Sequence, residues 1–174
     1  VSRVLVLGGS RSGKSAHAEA LVAGREPVTY LAASAPTDPS DADWAARVAA
    51  HRARRPRSWR TLESTDPGDL HRTGTVLVDS VTTWVAALLD ASGVWDDAPG
   101  APDRLAAACD DLVAAFATTP AHVVAVSDEV GLGVVPETRS GRLFRDTLGT
   151  VNQRLAATAD EVWFVVAGLP QRLR

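Results

Sequence analysis

Lysine is nearly missing from this chain: of its 18 lysine and arginine residues, only Lys14 is a lysine. Cysteine is as scarce. Cys109 stands alone, which excludes a disulfide within the chain and fits a reducing compartment. It lies in an alanine-rich helical stretch and reads as a small apolar packing group. No apolar run approaches the ~20 residues needed to cross a bilayer. No basic-then-apolar leader is visible either, so the sequence reading is a cytoplasmic protein without a membrane span. No two histidines or cysteines have metal-ligand spacing, which argues against a structural zinc. A large charge excess is also absent. A net charge of −3 with 22% charged residues gives no global basic field to attract nucleic acid. Repeats and low-complexity tracts are lacking. What remains is a globular composition, 45% hydrophobic over 174 residues, read as one domain over 1–174 that buries roughly 70% of its unfolded surface.

Short apolar runs alternate with helical patterns. Residues 4–7 form a continuous apolar run ending in Gly8-Gly9 and read as a buried strand. Further strands are expected at 28–33, 59–62, 75–78, 123–126 and, as the last one, 162–166. Helices are expected at 13–23, around Trp44, Val48, His51 and Arg55, and at 82–89, 105–116 and 139–159. Residues 36–43 read as a polar loop, and Pro56 ends the helix that carries His51. The Gly-, Pro- and Asp-rich segment 92–102 also reads as a loop. Strand–helix alternation of this kind argues an α/β fold with a mostly parallel sheet.

The first glycine loop, Gly8-Gly9-Ser10-Arg11-Ser12-Gly13-Lys14-Ser15, fits the phosphate-binding pattern G-x-x-x-x-G-K-[ST]. A strand precedes it and a helix follows, which is the context the pattern requires. Glycines let the backbone N–H groups approach phosphate oxygens, and the helix N-terminus favours an anion. The lysine must be a slim point charge that reaches the β- and γ-phosphates, a task for which a planar guanidinium is ill shaped. Keeping lysine here alone is therefore informative. Ser15 is placed to offer its hydroxyl to Mg²⁺. The loop predicts a nucleoside triphosphate ligand and a P-loop NTPase-type three-layer fold.

Asp79 closes an apolar strand, as the second acidic element of such proteins does; it either serves Mg²⁺ or a substrate hydroxyl, or caps the next helix. Asp128-Glu129 ends another strand, on the edge where open α/β sheets bind ligands, or caps a turn toward Gly131 and Gly133. His51 is followed by Arg52, Arg54, Arg55, Arg57 and Arg60, the densest cationic stretch of the chain. Arginine forks suit a polyphosphate, and neighbouring cations keep an imidazole neutral and nucleophilic. From these residues alone, His51 is either a nucleophile toward phosphorus or a packed, hydrogen-bonded residue on a face with Trp44 and Val48. His17 lies on the helix after the loop, His71 in a polar loop, and His122 at the start of a strand.

Taken together, the chain resembles the bifunctional adenosylcobinamide kinase / adenosylcobinamide-phosphate guanylyltransferase family of cobalamin biosynthesis. The resemblance runs from the glycine loop and Ala18-Glu19-Ala20-Leu21 through Tyr30-Leu31-Ala32-Ala33-Ser34 to Ala45-Ala46-Arg47-Val48 and His51. It continues in Arg55-Pro56, Trp59-Arg60-Thr61 and Glu63, and in the specific block Glu129-Val130-Gly131-Leu132-Gly133-Val134-Val135-Pro136. Phe144-Arg145-Asp146, Val151-Asn152-Gln153-Arg154-Leu155 and Ala159-Asp160-Glu161-Val162-Trp163 complete it. Residues 90–102 match poorly, and Ala50 stands where some relatives carry a second histidine.

The resemblance implies two reactions: phosphorylation of adenosylcobinamide by ATP or GTP, and transfer of GMP from GTP to adenosylcobinamide phosphate with release of pyrophosphate. It implies a guanylylated histidine at His51, Lys14 as the second catalytic group, and Mg²⁺ with the nucleotide at Ser15. Nucleotide contacts are implied at Gly8, Gly9, Ser10, Arg11, Ser12, Gly13, Lys14, Ser15, Ala32, Ala33, Ser34, Arg52, Ala53, Arg54, Arg55, Glu63 and Asp79. A homo-oligomer, a trimer, is implied as well. Two rival readings are a monofunctional P-loop small-molecule kinase and a non-catalytic nucleotide switch.

Overall fold

The computed structural model describes residues 2–33 and 55–174. The helix expected around Trp44, Val48 and His51 and the loop expected at 36–43 lie outside the described residues.

Among the described residues, seven strands form one sheet. They are β1 (Arg3–Gly8), β2 (Val28–Ala32), β3 (Arg60–Glu63), β4 (Thr75–Asp79), β5 (His122–Asp128), β6 (Glu161–Val166) and β7 (Leu169–Arg172). Their order is β3-β2-β4-β5-β1-β6-β7. Every neighbouring pair from β3 to β6 is parallel, and β7 alone runs antiparallel, on β6. Between them lie α1 (Lys14–Val22), α2 (Val81–Ser92), α3 (Ala101–Thr118) and α4 (Arg139–Thr158), with 3₁₀ turns at Pro67–His71 and Val94–Asp96.

A parallel sheet must be covered on both faces, so its strands read as continuous apolar runs whose alternate side chains feed two cores. Val4 and Val6 of β1 pack with Ala18 and Val22 of α1, along with Val28, Tyr30, Leu77, Val124 and Val126. Leu5 points the other way, into a larger cluster with Leu31, Val76, Val78, Val123 and Ala125. Trp84, Phe116, Leu148 and Leu155, all essentially inaccessible, bring α2, α3 and α4 onto that second face. The result is helix–sheet–helix layering, as the alternating pattern predicts.

Two expectations need correction. Segment 92–102 is not all loop: it holds the turn Val94–Asp96, and α3 already begins at Ala101. Pro102 is accommodated because in the first helical turn its missing N–H is not needed. The strand at Glu161–Val166 is not the last, because Ala167 and Gly168 turn the chain into β7. All four residues of β7 are exposed, so no alternation marks it, and Pro170 is tolerated only because the strand is an edge. Elsewhere the expected elements appear with ends moved by one to a few residues, as at α2, which extends to Val81–Ser92.

The start of β1 is pinned to the turn before β6. Asp160 accepts from the Arg3 backbone N–H at 2.8 Å, from Arg3 Nε at 3.1 Å and from Arg3 Nη2 at 3.0 Å. The Arg3 guanidinium and amide hold the Asp160 carboxyl below its ordinary range. A carboxylate whose pKa is depressed by folding stabilises the fold above its unfolded value and loses that contribution as pH falls through the folded one. Asp160→Asn is therefore expected to lower the urea midpoint at neutral pH, with the gap closing once the solution is more acidic than the usual carboxylate range. A gap that stays constant down to that acidity contradicts this role.

Candidate nucleotide site at the carboxyl edge of the sheet

Because β1 to β6 are parallel, their C-terminal ends share one edge. Gly8, Ala32, Glu63, Asp79 and Asp128 each end a strand there. Register brings them into neighbouring pairs: Gly8 lies opposite Asp128, and Ala32 opposite Glu63. β5 separates the strand of the glycine loop from the strand that ends in Asp79.

The loop between β1 and α1 is built tightly. A Cβ on Gly8 would come within 2.7 Å of the Val165 carbonyl oxygen, closer than real side chains allow, so only glycine fits there. Gly13 has φ of 95° and Arg11, which is not a glycine, has φ of 56°. For a non-glycine residue the left-handed region costs about 1–2 kcal/mol, and such strain concentrates at ligand clamps. The turn before β7 supports the loop from behind, as Gly168 N–H donates to the Ser12 carbonyl at 2.7 Å. The helices α2 and α4 have side-chain N-caps, from Ser80 and Thr138, whereas α1 has none. α3 likewise lacks one, and the Lys14 N–H at the start of α1 is directed at Ser12 Oγ at 3.4 Å; a glycine-led helix start of this kind favours an anion.

Lys14 begins α1 and turns its side chain back over the loop. Its Nζ donates to the Gly9 carbonyl at 3.1 Å and lies 2.5 Å from Asp128 Oδ1. The Lys14 side chain is largely buried, 11% exposed against 25% for that of Asp128, so this pair is poorly screened by solvent.

A second knot ties β2, β4 and α2 together. Tyr30 Oη donates to Asp79 Oδ2 at 2.7 Å. The Arg55 guanidinium stacks over the Tyr30 ring, 3.2 Å from its centroid. Burial, and then the negative charge of Asp79, push the Tyr30 phenol far above its ordinary value, so it stays a donor. Thr83, in the first turn of α2, donates to the Ala33 carbonyl and completes a capping box with Ser80. Arg55, Tyr30, Asp79 and Ala33 thus form one connected unit.

The structure brings together Gly8 to Ser15, Ala32, Ala33, Glu63 and Asp79 at this edge, with Arg55 linked to it through Tyr30. His51, Ser34, Arg52, Ala53 and Arg54 lie outside the described residues. His17 turns its ring edge-on to Trp163 at 4.9 Å, and burial pushes its imidazole below the ordinary value. His71 contacts Thr118, and His122 contacts Ser2. Among the described residues no group of three metal-ligating side chains exists, and no helix is long and apolar enough to cross a membrane. A groove of about 510 Å³ between α3 and α4, floored by Leu105, Cys109, Leu143 and Val151, is lined by none of the expected nucleotide residues.

Sequence reasoning missed Tyr30 and Thr83 as parts of the site. Tyr30 is the chain's single tyrosine and sits in an otherwise apolar strand, a usable signal. Thr83 carried none beyond its place after Asp79. Tyr30→Phe removes a hydrogen bond to a charged acceptor, and a loss of about 1–3 kcal/mol in urea unfolding is expected. An unchanged midpoint contradicts the clamp on Asp79.

Residues 4–173 match the family described as "Cobinamide kinase / cobinamide phosphate guanyltransferase". The bifunctional adenosylcobalamin biosynthesis protein CobU of Salmonella typhimurium is 45% identical, over 98% of this chain and 99% of that protein. CobP of Pseudomonas aeruginosa, named likewise as a bifunctional adenosylcobalamin biosynthesis protein, is 38% identical over 99% of this chain and 97% of its own length. Among solved structures, a type III secretion system ATPase superposes with a TM-score of 0.58 at 13% identity, over 98% of this chain and 56% of that one. That likeness speaks for the fold alone.

Proposed function

Because this chain belongs to the cobinamide kinase / cobinamide phosphate guanyltransferase family, we propose that it assembles the nucleotide loop of cobalamin in two steps at one nucleotide site. The first phosphorylates adenosylcobinamide with ATP or GTP. The second transfers GMP from GTP to adenosylcobinamide phosphate and releases pyrophosphate. The observation that carries this reading is the lone lysine over a strained glycine loop, at the edge where the strand-terminal carboxylates converge.

In the phosphoryl step the amides of residues 9–15 grip the β- and γ-phosphates, and Lys14 stabilises charge on the transferring group. Ser15 would hold Mg²⁺ together with the triphosphate. A hard cation takes oxygen ligands, and the Ser15 hydroxyl would supply one beside phosphate oxygens and water. When bound, that ion would neutralise β- and γ-oxygen charge. Ala32, Ala33, Ser34, Glu63 and Asp79 are assigned to the nucleotide, with Asp79 aimed by Tyr30.

In the nucleotidyl step the neutral imidazole of His51 attacks the α-phosphorus of GTP. A nitrogen–phosphorus bond forms, the α–β bridging bond breaks, and pyrophosphate leaves with the electron pair. Arg52, Arg54 and Arg55, with the Ala53 backbone between them, offset the charge that develops. The substrate phosphate then attacks the adduct, taking GMP and restoring the imidazole. A trimeric assembly, which the family resemblance supports, and a cytoplasmic location, which the lone cysteine supports, belong to the same proposal.

Incubation with α-labelled GTP is expected to leave an acid-labile, alkali-stable label on the protein, absent from His51→Ala. A wild-type chain that takes up no label removes the guanylyltransferase half. Lys14→Ala is expected to slow phosphorylation of cobinamide by about 100-fold or more, the scale of losing one transition-state donor. Near-normal phosphorylation by that variant contradicts the assignment of the loop.

A further inference from the structure

One group at this edge has no part in the mechanism above. Asp128 ends β5 directly opposite Gly8, and its carboxylate lies 2.5 Å from Lys14 Nζ. Polar side chains hold its main chain on both sides, one of them buried. Its N–H donates to Thr82 Oγ1 at 2.8 Å, and its carbonyl accepts from Asn152 Nδ2 at 3.0 Å. Asn152 is fixed in turn, since Ser127 Oγ donates to its Oδ1 at 2.6 Å, and both residues are buried. Buried polar networks of this kind fix geometry when each member is satisfied. Here α2 and α4 converge to hold one backbone unit of β5, and the side chain it carries points at the single lysine. The carboxylate itself is partly open, at 25% exposure. That opening lies at the sheet edge beside Gly8, so an acceptor group could reach the carboxylate there.

We propose that Asp128 has two successive roles in the phosphoryl step, an inference that rests on the kinase reading above. Without nucleotide it is the counterion that keeps the Lys14 ammonium paired and in place over the loop. When a triphosphate binds, the β- and γ-phosphates draw the ammonium away and leave the carboxylate beside the reacting centre. It then receives the proton of the acceptor hydroxyl. The hydroxyl oxygen forms its bond to the γ-phosphorus, the bond from that phosphorus to the bridging oxygen breaks, and the diphosphate departs with the electron pair. The proton stays on Asp128 until solvent removes it. One carboxylate thereby stands in for phosphate before binding and serves as base after it. Asp79 is less suited to the second role, because the Tyr30 hydroxyl already occupies one of its oxygens.

The two roles give Asp128→Asn opposite effects on binding and turnover. Removing the competing charge leaves Lys14 free for phosphate, so ATP affinity, measured by calorimetry with Mg²⁺, is expected to rise several-fold. Loss of the base is expected to lower kcat for cobinamide phosphorylation by about 100-fold or more. A merely structural carboxylate gives a different result: affinity and kcat fall together. That outcome, or a kcat within a few-fold of wild type, overturns the proposal. If the Asn variant does not fold, Asp128→Glu serves instead. It keeps the charge but moves the carboxylate, so near-normal affinity with a lowered kcat is expected, and an unchanged kcat overturns the role as base. A wild-type chain that phosphorylates no cobinamide overturns the kinase reading and this inference with it. A wild-type chain that does so, beside an equally active Asn variant, overturns this inference alone.

Discussion

The structure turns on where one ammonium group is kept. Lys14 is the only lysine, it is mostly buried, and it is paired with a carboxylate at 2.5 Å. A buried cation is stable only with such a partner, because the desolvation it suffers must be offset by a nearby opposite charge and hydrogen bonds. The sheet supplies both. β1 delivers the loop whose Gly9 carbonyl accepts from the ammonium, and β5, its direct neighbour, delivers Asp128. Parallel pairing places the two strand ends side by side, and so the cation, the carboxylate and the uncapped start of α1 meet at one edge.

The remaining layers make that edge rigid. Core side chains on both faces fix the strands, and the polar ties at the edge fix the residues beyond them. Tyr30 binds Asp79, Thr83 binds the Ala33 carbonyl, and Gly168 binds the Ser12 carbonyl. The left-handed backbone at Arg11 and Gly13 persists because these surroundings over-determine it. A loop preorganised in this way loses little freedom when a triphosphate docks.

Much of this was legible in the sequence, for identifiable reasons. Buried parallel strands read as apolar runs, so β1, β4 and β5 stood out, and the glycine loop combines residue type with spacing. The family resemblance rested on ordered blocks, of which residues 129–136 were the most specific. The structure adds that Leu132 and Val134 in that block are 81% and 96% exposed, which no sequence pattern could tell. β7 was invisible because an exposed edge strand has no alternation. The pairing of Asp128 with Lys14 was not legible, since the sequence offered Asp128 only as a ligand-edge or turn-capping residue; an ion pair across neighbouring strands depends on register, and register is not written in either strand alone.

The solitary lysine also offers a direct test. A protein labelled with ¹⁵N at lysine Nζ gives one side-chain ammonium resonance from Lys14. The account predicts a shift of that resonance when a Mg²⁺–nucleoside triphosphate is added, and a different starting position in Asp128→Asn before any addition. A resonance that ignores both the triphosphate and the loss of the carboxylate contradicts the claim that this ammonium is exchanged between Asp128 and phosphate.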